Sequence, residues 1–338
     1  MGWQVIGHDW VVSLLRQRLA TGQVAHAYLF SGPPQIGKET LATALAQALN
    51  CAEPEAPCGH CRSCLRIARG LHPDVQVVIG EGVGESLKID QVRTLHRQAS
   101  LAPYEGRYRV FLIPRIDQAT IEATNSMLKI LEEPPAHVVL ILTATHTEAL
   151  PPTVVSRCQR FELKPVPLTT IEAALQQRGV PLPKTQLLAR LSGGRIGWAL
   201  AASADEVILR QREEDLERLT RLLTADRVER FDLARQMSQD PAASRRQLDL
   251  WTSWWRDLLL LCAHRPDYAT HIDQIGELER FSAQCSDLQA WAALKALQVT
   301  ATQLENRVNA QLAWESLLLK LPRFQPTLET QGEGVSRR

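Results

Sequence analysis

Gly32-Pro33-Pro34-Gln35-Ile36-Gly37-Lys38-Glu39-Thr40 has the spacing of a phosphate-binding loop, with Glu39 where a magnesium-binding hydroxyl belongs. In a working loop of this kind backbone N–H groups cradle the phosphates, the Lys reaches the β and γ oxygens, and the next Ser or Thr hydroxyl holds Mg²⁺. Gly32, Gly37 and Lys38 are kept here; the hydroxyl is not. Thr40 lies one residue further along a helix, turned about 100° away, and cannot simply replace it. Glu39 could ligate a metal, but its charge would also sit near the phosphates. A plain glycine-containing strand-to-helix turn is the other reading of these residues. The apolar run Ala27-Tyr28-Leu29-Phe30-Ser31 before the loop and the helical Leu41-Ala42-Thr43-Ala44-Leu45-Ala46 after it supply strand–loop–helix context.

The other half of an ATPase site is an apolar strand ending in acids that hold Mg²⁺ and position water. Arg109-Val110-Phe111-Leu112-Ile113 is that strand, and it runs into Pro114-Arg115 where Asp-Glu is expected. Asp117 is three residues too far along to be the metal acid, and it is expected to cap the following helix. Two catalytic features are therefore missing from one site.

Composition bounds the partners. The chain has 338 residues, 45% apolar and 22% charged, with net charge +1, so it is long enough for two or three domains and lacks a strongly basic surface. No secretory signal opens it and no apolar run reaches transmembrane length, which implies the cytoplasm and no membrane partner. Four of its seven cysteines, Cys51, Cys58, Cys61 and Cys64, follow the spacing C-x6-C-x2-C-x2-C. Two overlapping C-x2-C steps and a fourth thiol returned by a loop suit tetrahedral Zn²⁺ in a closed structural site; redox chemistry and chance clustering are the alternatives. His60 is a conceivable ligand, but four thiolates fill the shell. Cys262 and Cys285 are expected to be packing residues.

Residues 1–165 alternate strand-like and helix-like segments, as an α/β domain does. Strands are expected at Val75–Ile79, Val110–Ile113 and Val138–Thr143, and helices at Ile89–Ala99 and Ala119–Leu131, the latter ended by Pro134-Pro135. Leu163-Lys164-Pro165-Val166-Pro167 reads as a stiff hinge into a three-helix unit, 166–205, with helices over Thr169–Gln177, Lys184–Leu191 and Ile196–Ala202. From Glu206 to 325 the pattern is helical, including one helix over Ala292–Leu319 with Leu294, Leu297, Ala301, Leu304 and Val308 on one stripe. Trp251, Trp254 and Trp255 share a helical face, the pattern of core residues. The polar tail, 326–338, is expected to be disordered.

With these residues in view the chain resembles the AAA+ clamp-loader subunits of bacterial DNA polymerase III over about residues 3 to 322. The shared strings are His26-Ala27-Tyr28-Leu29-Phe30-Ser31-Gly32, Asn125-Ser126-Met127-Leu128-Lys129-Ile130-Leu131-Glu132-Glu133-Pro134-Pro135, Ser156-Arg157-Cys158 after Leu150-Pro151, and Asn306-Arg307-Val308-Asn309 followed by Leu312 and Glu315. The resemblance implies an α/β AAA+ domain with a four-cysteine zinc insertion, a small three-helix lid and an all-helical C-terminal collar. Two subunit types make up that family: the tau/gamma ATPase and a delta-prime type that has lost catalytic residues. Glu39, Pro114-Arg115 and Gly197, near the place of the family's nucleotide-sensing Arg, depart from the ATPase pattern, although Arg195 could partly compensate.

The departures and the length imply the delta-prime type, partnered by tau/gamma and delta subunits and, through the complex, by the sliding clamp and primed DNA. Arg157 would then reach a neighbour's ATP as an arginine finger, with a surface salt bridge as its other reading. Whether Gly32, Gly37, Lys38 and Thr40 still bind ATP without turnover stays open. Two rival functions remain: an active ATPase using Lys38, Glu39 and Thr145, and a stand-alone zinc-dependent nucleic-acid-binding module, whose knuckle carries chiefly Arg62, Arg66 and Arg69.

Overall fold

The computed structural model describes residues 2–80, 86–306 and 308–325. The chain divides into two compact units, Met1–Leu200 and Ala201–Arg338. In the first, elements follow in the order α1 (Asp9–Ala20), β1 (Ala27–Ser31), α2 (Lys38–Asn50), α3 (Arg62–Ala68), β2 (Val75–Val77), α4 (Ile89–Ala99), β3 (Arg109–Ile113), α5 (Ile121–Glu132), β4 (Val138–Ala144), α6 (Pro152–Val155) and β5 (Gln159–Glu162), then α7 (Leu168–Gln176), α8 (Leu182–Ser192) and α9 (Ile196–Ala204).

The strands form one parallel sheet in the order β2-β3-β4-β1-β5. β1 and β4 are buried along their whole length, which is why both read as unbroken apolar runs: a parallel sheet covered on two faces has no wet side. Alternate residues feed different cores. Ala27, Leu29, Phe111, Leu140 and Leu142 pack with α4 and α5 residues such as Val92 and Met127. Tyr28, Phe30, Val110 and Ile141 pack on the other face with Val11, Leu15, Leu41 and Leu45 of α1 and α2. This sheet holds the loop after β1 beside the ends of β3 and β4, so chemistry from all three meets at one edge.

The second unit is helical among the described residues: α10 (Glu206–Thr224), α11 (Arg227–Met237), α12 (Pro241–Cys262), α13 (Ile275–Ser282), α14 (Asp287–Glu305) and α15 (Ala310–Lys320). Side-chain caps start most of these helices, with Asp226 and Ser286 completing reciprocal pairs with Glu229 and Gln289. Trp251, Trp254, Trp255 and Trp314 are fully buried, Trp251 meeting Trp314 edge-on at 5.5 Å between ring centroids. Arg230 is buried too, and its guanidinium donates to Leu318 O at 2.6 Å, Leu321 O at 2.8 Å and Pro322 O at 3.1 Å. Those are orphan carbonyls at the C-terminal end of α15, where a cation also opposes the helix dipole.

Three expectations are corrected. The single helix over Ala292–Leu319 is two, α14 and α15, because Asn309 accepts from Leu312 N and starts a new helix. Leu294 and Leu297 are buried as the stripe requires, but Val308 is exposed. The strand from Val75 stops at Val77, leaving Ile79 exposed. A fifth strand, β5, was not foreseen and pairs with β1. The tail expectation, 326–338, lies outside the described residues.

Candidate functional site

The loop begins and ends in glycine for geometric reasons. Gly32 has φ +142°, and a Cβ there would come within 2.3 Å of Leu163 O; Gly37, at φ +106°, caps α2 in the left-handed region. Lys38, the first residue of α2, is buried, and its ammonium turns back into the loop. It donates to Gly32 O at 2.6 Å and Pro33 O at 2.7 Å. Burial lowers its pKa, while the charges of Asp117 and Glu39 act the other way. Glu39 and Thr40 are exposed on the first turn of α2.

At the end of β3, Arg115 sits in the left-handed region at φ +49°, and its N–H donates to Thr143 Oγ1 at 3.2 Å. Asp117 does not cap α5; Thr120 does, accepting from Ala123 N. Instead the short 3-10 turn Ile116–Gln118 points Asp117 back across the sheet edge, where Oδ2 accepts from Thr145 N at 2.9 Å and His146 N at 3.1 Å. Its Oδ1 is buried and meets no hydrogen-bond partner among the described residues, and its charge acts on Lys38. An acid is thus present near the lysine, displaced along the chain and engaged by backbone amides. Gly197 N donates to Gln35 O at 2.8 Å, and Arg195 Nε returns to Ser192 O at 2.8 Å.

Arg157 lies after α6 on the polypeptide leading into β5. Nη2 is 2.7 Å from Glu132 Oε1 and Nη1 donates to Thr153 O at 2.9 Å, with about a third of the side chain, 34%, exposed. It therefore makes a surface ion pair inside its own chain. Next to it, burial pushes the Cys158 thiol up to about 12.

Cys51 closes α2 and Cys61 starts α3, so the four-cysteine segment is held between two helices. The four Sγ atoms lie within 4.8 Å of one another, Cys58 and Cys64 at 4.0 Å. A tetrahedral ion with metal–sulfur distances near 2.3 Å needs sulfurs about 3.8 Å apart, so these residues fit a metal after a small contraction. Backbone amides already point at the sulfurs: Cys58 N to Cys51 Sγ, Cys61 N to Cys58 Sγ and Cys64 N to Cys61 Sγ at 3.3–3.4 Å. Burial would raise the Cys61 thiol, but the Cys64 and Ala52 amides and the neighbouring thiols outweigh it and bring it to about 7. His60 is exposed and is not in the group.

The cysteine segment is tied to the sheet by a buried polar network that the sequence did not disclose. Gln47 Nε2 donates to Cys64 O, and Ser63 Oγ lies 2.8 Å from His72 Nε2. That pair is not an activated nucleophile: His72 Nδ1 accepts from Asp74 N at 3.1 Å, so the proton sits on Nε2, facing Ser63. Asp74, itself buried, accepts from the amides of Tyr104 (2.6 Å), Glu105 and Gly106 (both 2.8 Å). Burial pushes its carboxyl up, but these three amides outweigh it and hold the pKa below 3.8. Asp74→Asn turns an amide donor toward those N–H groups and is expected to cost about 2 kcal/mol. A group with a depressed folded pKa stabilises above its unfolded pKa and loses that contribution as pH falls through the folded one. Thermal denaturation should therefore show the deficit at neutral pH and show it vanishing well below pH 3.8.

Fold and loop define a class: a parallel α/β sheet carrying, after a central strand, a loop with the spacing of a phosphate-binding loop, as in AAA+ domains. A family profile described as DNA polymerase III, delta subunit, matches residues 7–167. DNA polymerase III subunit gamma/tau of Mycobacterium tuberculosis (strain ATCC 25618 / H37Rv) is 37% identical over 199 residues, 56% of this chain and 34% of that protein. DNA polymerase III subunit delta' of Bacillus subtilis (strain 168) is 28% identical over 316 residues, 92% of this chain and 95% of that protein. The chain thus spans about a third of its gamma/tau relatives, at 34%, and nearly all of the delta' relative, at 95%. A solved gamma-subunit-related protein from Thermotoga maritima covers 90% of this chain and 97% of its own, at 16% identity and a TM-score of 0.46. The chain is thus similar to clamp-loader subunits of DNA polymerase III, over residues 7–167 by the family profile and over 92% of its length by the delta' relative.

Proposed function

We propose that the chain is a non-hydrolysing, delta-prime-type subunit of the DNA polymerase III clamp loader, acting in the cytoplasm during DNA replication. The observation that carries this reading is Lys38, whose ammonium is spent on the carbonyls of Gly32 and Pro33 while no hydroxyl stands at Glu39 and no acid at Pro114-Arg115. Similarity along 95% of the delta' relative supports the same choice. In this role residues 1–165 form the AAA+ domain, 166–205 the lid and 206–325 the collar that joins tau/gamma and delta subunits. The assembly places the sliding clamp on primed DNA. Arg157 leaves Glu132 to reach ATP bound by a neighbouring subunit, and Cys51, Cys58, Cys61 and Cys64 hold a structural zinc ion.

The test is reconstitution with tau/gamma and delta subunits, reading clamp- and DNA-stimulated ATP hydrolysis with and without this chain. Alone, the chain is expected to hydrolyse no ATP above background, and Glu39→Thr by itself should create no activity, because the acids remain absent from the end of β3. A second reading, an active gamma/tau-like ATPase, is favoured by the Asp117 carboxylate beside Lys38. Turnover by the isolated chain that disappears in Lys38→Ala would establish it.

A further inference from the structure

We infer that Cys262 and Cys285 are a dithiol modification site in the second unit, which an oxidised low-molecular-weight thiol converts reversibly to a disulfide. The two residues stand 23 positions apart in the chain and meet where one helix ends and another begins. Cys262 is the last residue of α12, and Cys285 precedes Ser286, the N-cap of α14. The Cys262 thiol donates to Cys285 O at 3.3 Å, and the Cys285 thiol donates to Ser286 O at 3.4 Å. The two thiols also act on each other directly. Both pack against the tryptophan core, which accounts for small apolar side chains at these positions but not for two thiols set side by side. The other five cysteines belong to the first unit, so each of this pair has the other as its partner within the unit.

Exposure sets the order of events. Cys262 is partly exposed, whereas Cys285 is 8% exposed. Burial raises both thiols, Cys285 to about 12, and their mutual interaction lowers Cys262 while raising Cys285, so ionisation at Cys262 is favoured. The Cys262 thiolate attacks one sulfur of the external disulfide, forms a mixed disulfide and releases one thiolate. Cys285 then gives its proton to solvent, attacks Cys262 Sγ and displaces the second thiolate. Two protein thiols are oxidised, one external disulfide is reduced to two thiols, and no other reactant enters. The link needs an S–S bond of about 2.05 Å. Both residues sit at helix ends, where the small shift that brings the sulfurs together leaves the intrahelical ladders intact. In a reducing compartment the pair stays as two thiols, and its raised pKa values make it a slow responder that follows the thiol–disulfide balance. The pairing needs neither a metal nor a partner subunit.

Incubation of the folded full chain with oxidised glutathione, followed by alkylation of the remaining thiols and peptide mapping without reduction, tests the pair. The peptide Asp257–Arg280 should be recovered joined through sulfur to Phe281–Lys295. Because the second step is intramolecular, the joined form should exceed the glutathione adduct on Cys262 by at least about tenfold. Dithiothreitol should return both peptides as free thiols. Cys285→Ser should stop at the adduct on Cys262, whereas Cys262→Ser should leave the buried Cys285 unmodified. Recovery of both wild-type peptides as alkylated thiols would overturn the proposal, as would a glutathione adduct that persists on Cys262 while Cys285 is still free. Should either serine variant fail to fold, the wild-type map decides alone.

Discussion

Replacing Arg157 by Ala in a rebuilt clamp loader is expected to leave assembly intact and to slow ATP hydrolysis at the one interface receiving it by about 10³ to 10⁵. Such a factor corresponds to about 4–7 kcal/mol of transition-state stabilisation. The ion pair with Glu132 is no obstacle, because its side chains are 34% and 49% exposed and a pair of that kind is worth at most about 1 kcal/mol. The guanidinium can exchange one carboxylate for the charge developing on a γ-phosphate. Arg157→Lys should rescue poorly, since a point charge does not reproduce the planar fork. Glu132→Ala separates the observed ion pair from the proposed finger: it removes the intrachain partner and should leave hydrolysis no slower. Whole-complex turnover falls less than the single interface if other interfaces carry their own fingers. Equal rates for wild type and Arg157→Ala at matched assembly would reduce Arg157 to its salt bridge.

Metal analysis of the purified proteins is expected to find one zinc per wild-type chain and none in Cys61→Ser. Structural zinc contributes about 10–16 kcal/mol in small modules at neutral pH, so a ligand set cut from four thiolates to three should give up its ion to a modest chelator. Protons compete with the ion for sulfur, and affinity should fall as pH falls. The fold around the module should survive. Its attachments, Gln47 to Cys64 O and Ser63 to His72, are local, and the sheet keeps its own two cores. A loss of helix content confined to α3 is the expected spectroscopic change. Equal metal content in Cys61→Ser and wild type would remove these four sulfurs as the ligand set.

What could be read in the sequence was what burial or covalent spacing writes there. β1 and β4 were plain because a parallel strand inside a sheet has no polar side. Helix α4 was plain because its apolar residues Val92, Leu95 and Ala99 recur at helical spacing. β5 was missed because Gln159-Arg160-Phe161-Glu162 buries only Phe161, as an edge strand with one neighbour can. The break between α14 and α15 was missed because the apolar stripe runs through it and only the Asn309 cap marks it. The cysteine cluster was legible, while the network around Asp74 that anchors it was not, since its acceptors are backbone amides with no sequence signature. Asp117 was misplaced for a related reason: spacing along the chain could not show that a 3-10 turn folds its carboxylate back onto the amides of Thr145 and His146.

Arg230 sets a limit on how far this chain can be shortened from its C-terminal end. Its three carbonyl partners, at Leu318, Leu321 and Pro322, come from the last described turn and the residues after it. Two residues on, Phe324 N donates to Leu223 O at 2.8 Å, and its ring lies 5.1 Å from that of Phe281. A stop codon at position 321 would leave the buried guanidinium with only the Leu318 carbonyl of its three acceptors and open the aromatic core from one side. Removing residues after 325 touches none of these contacts, so for a truncation series the boundary between viable and nonviable proteins falls within a handful of codons.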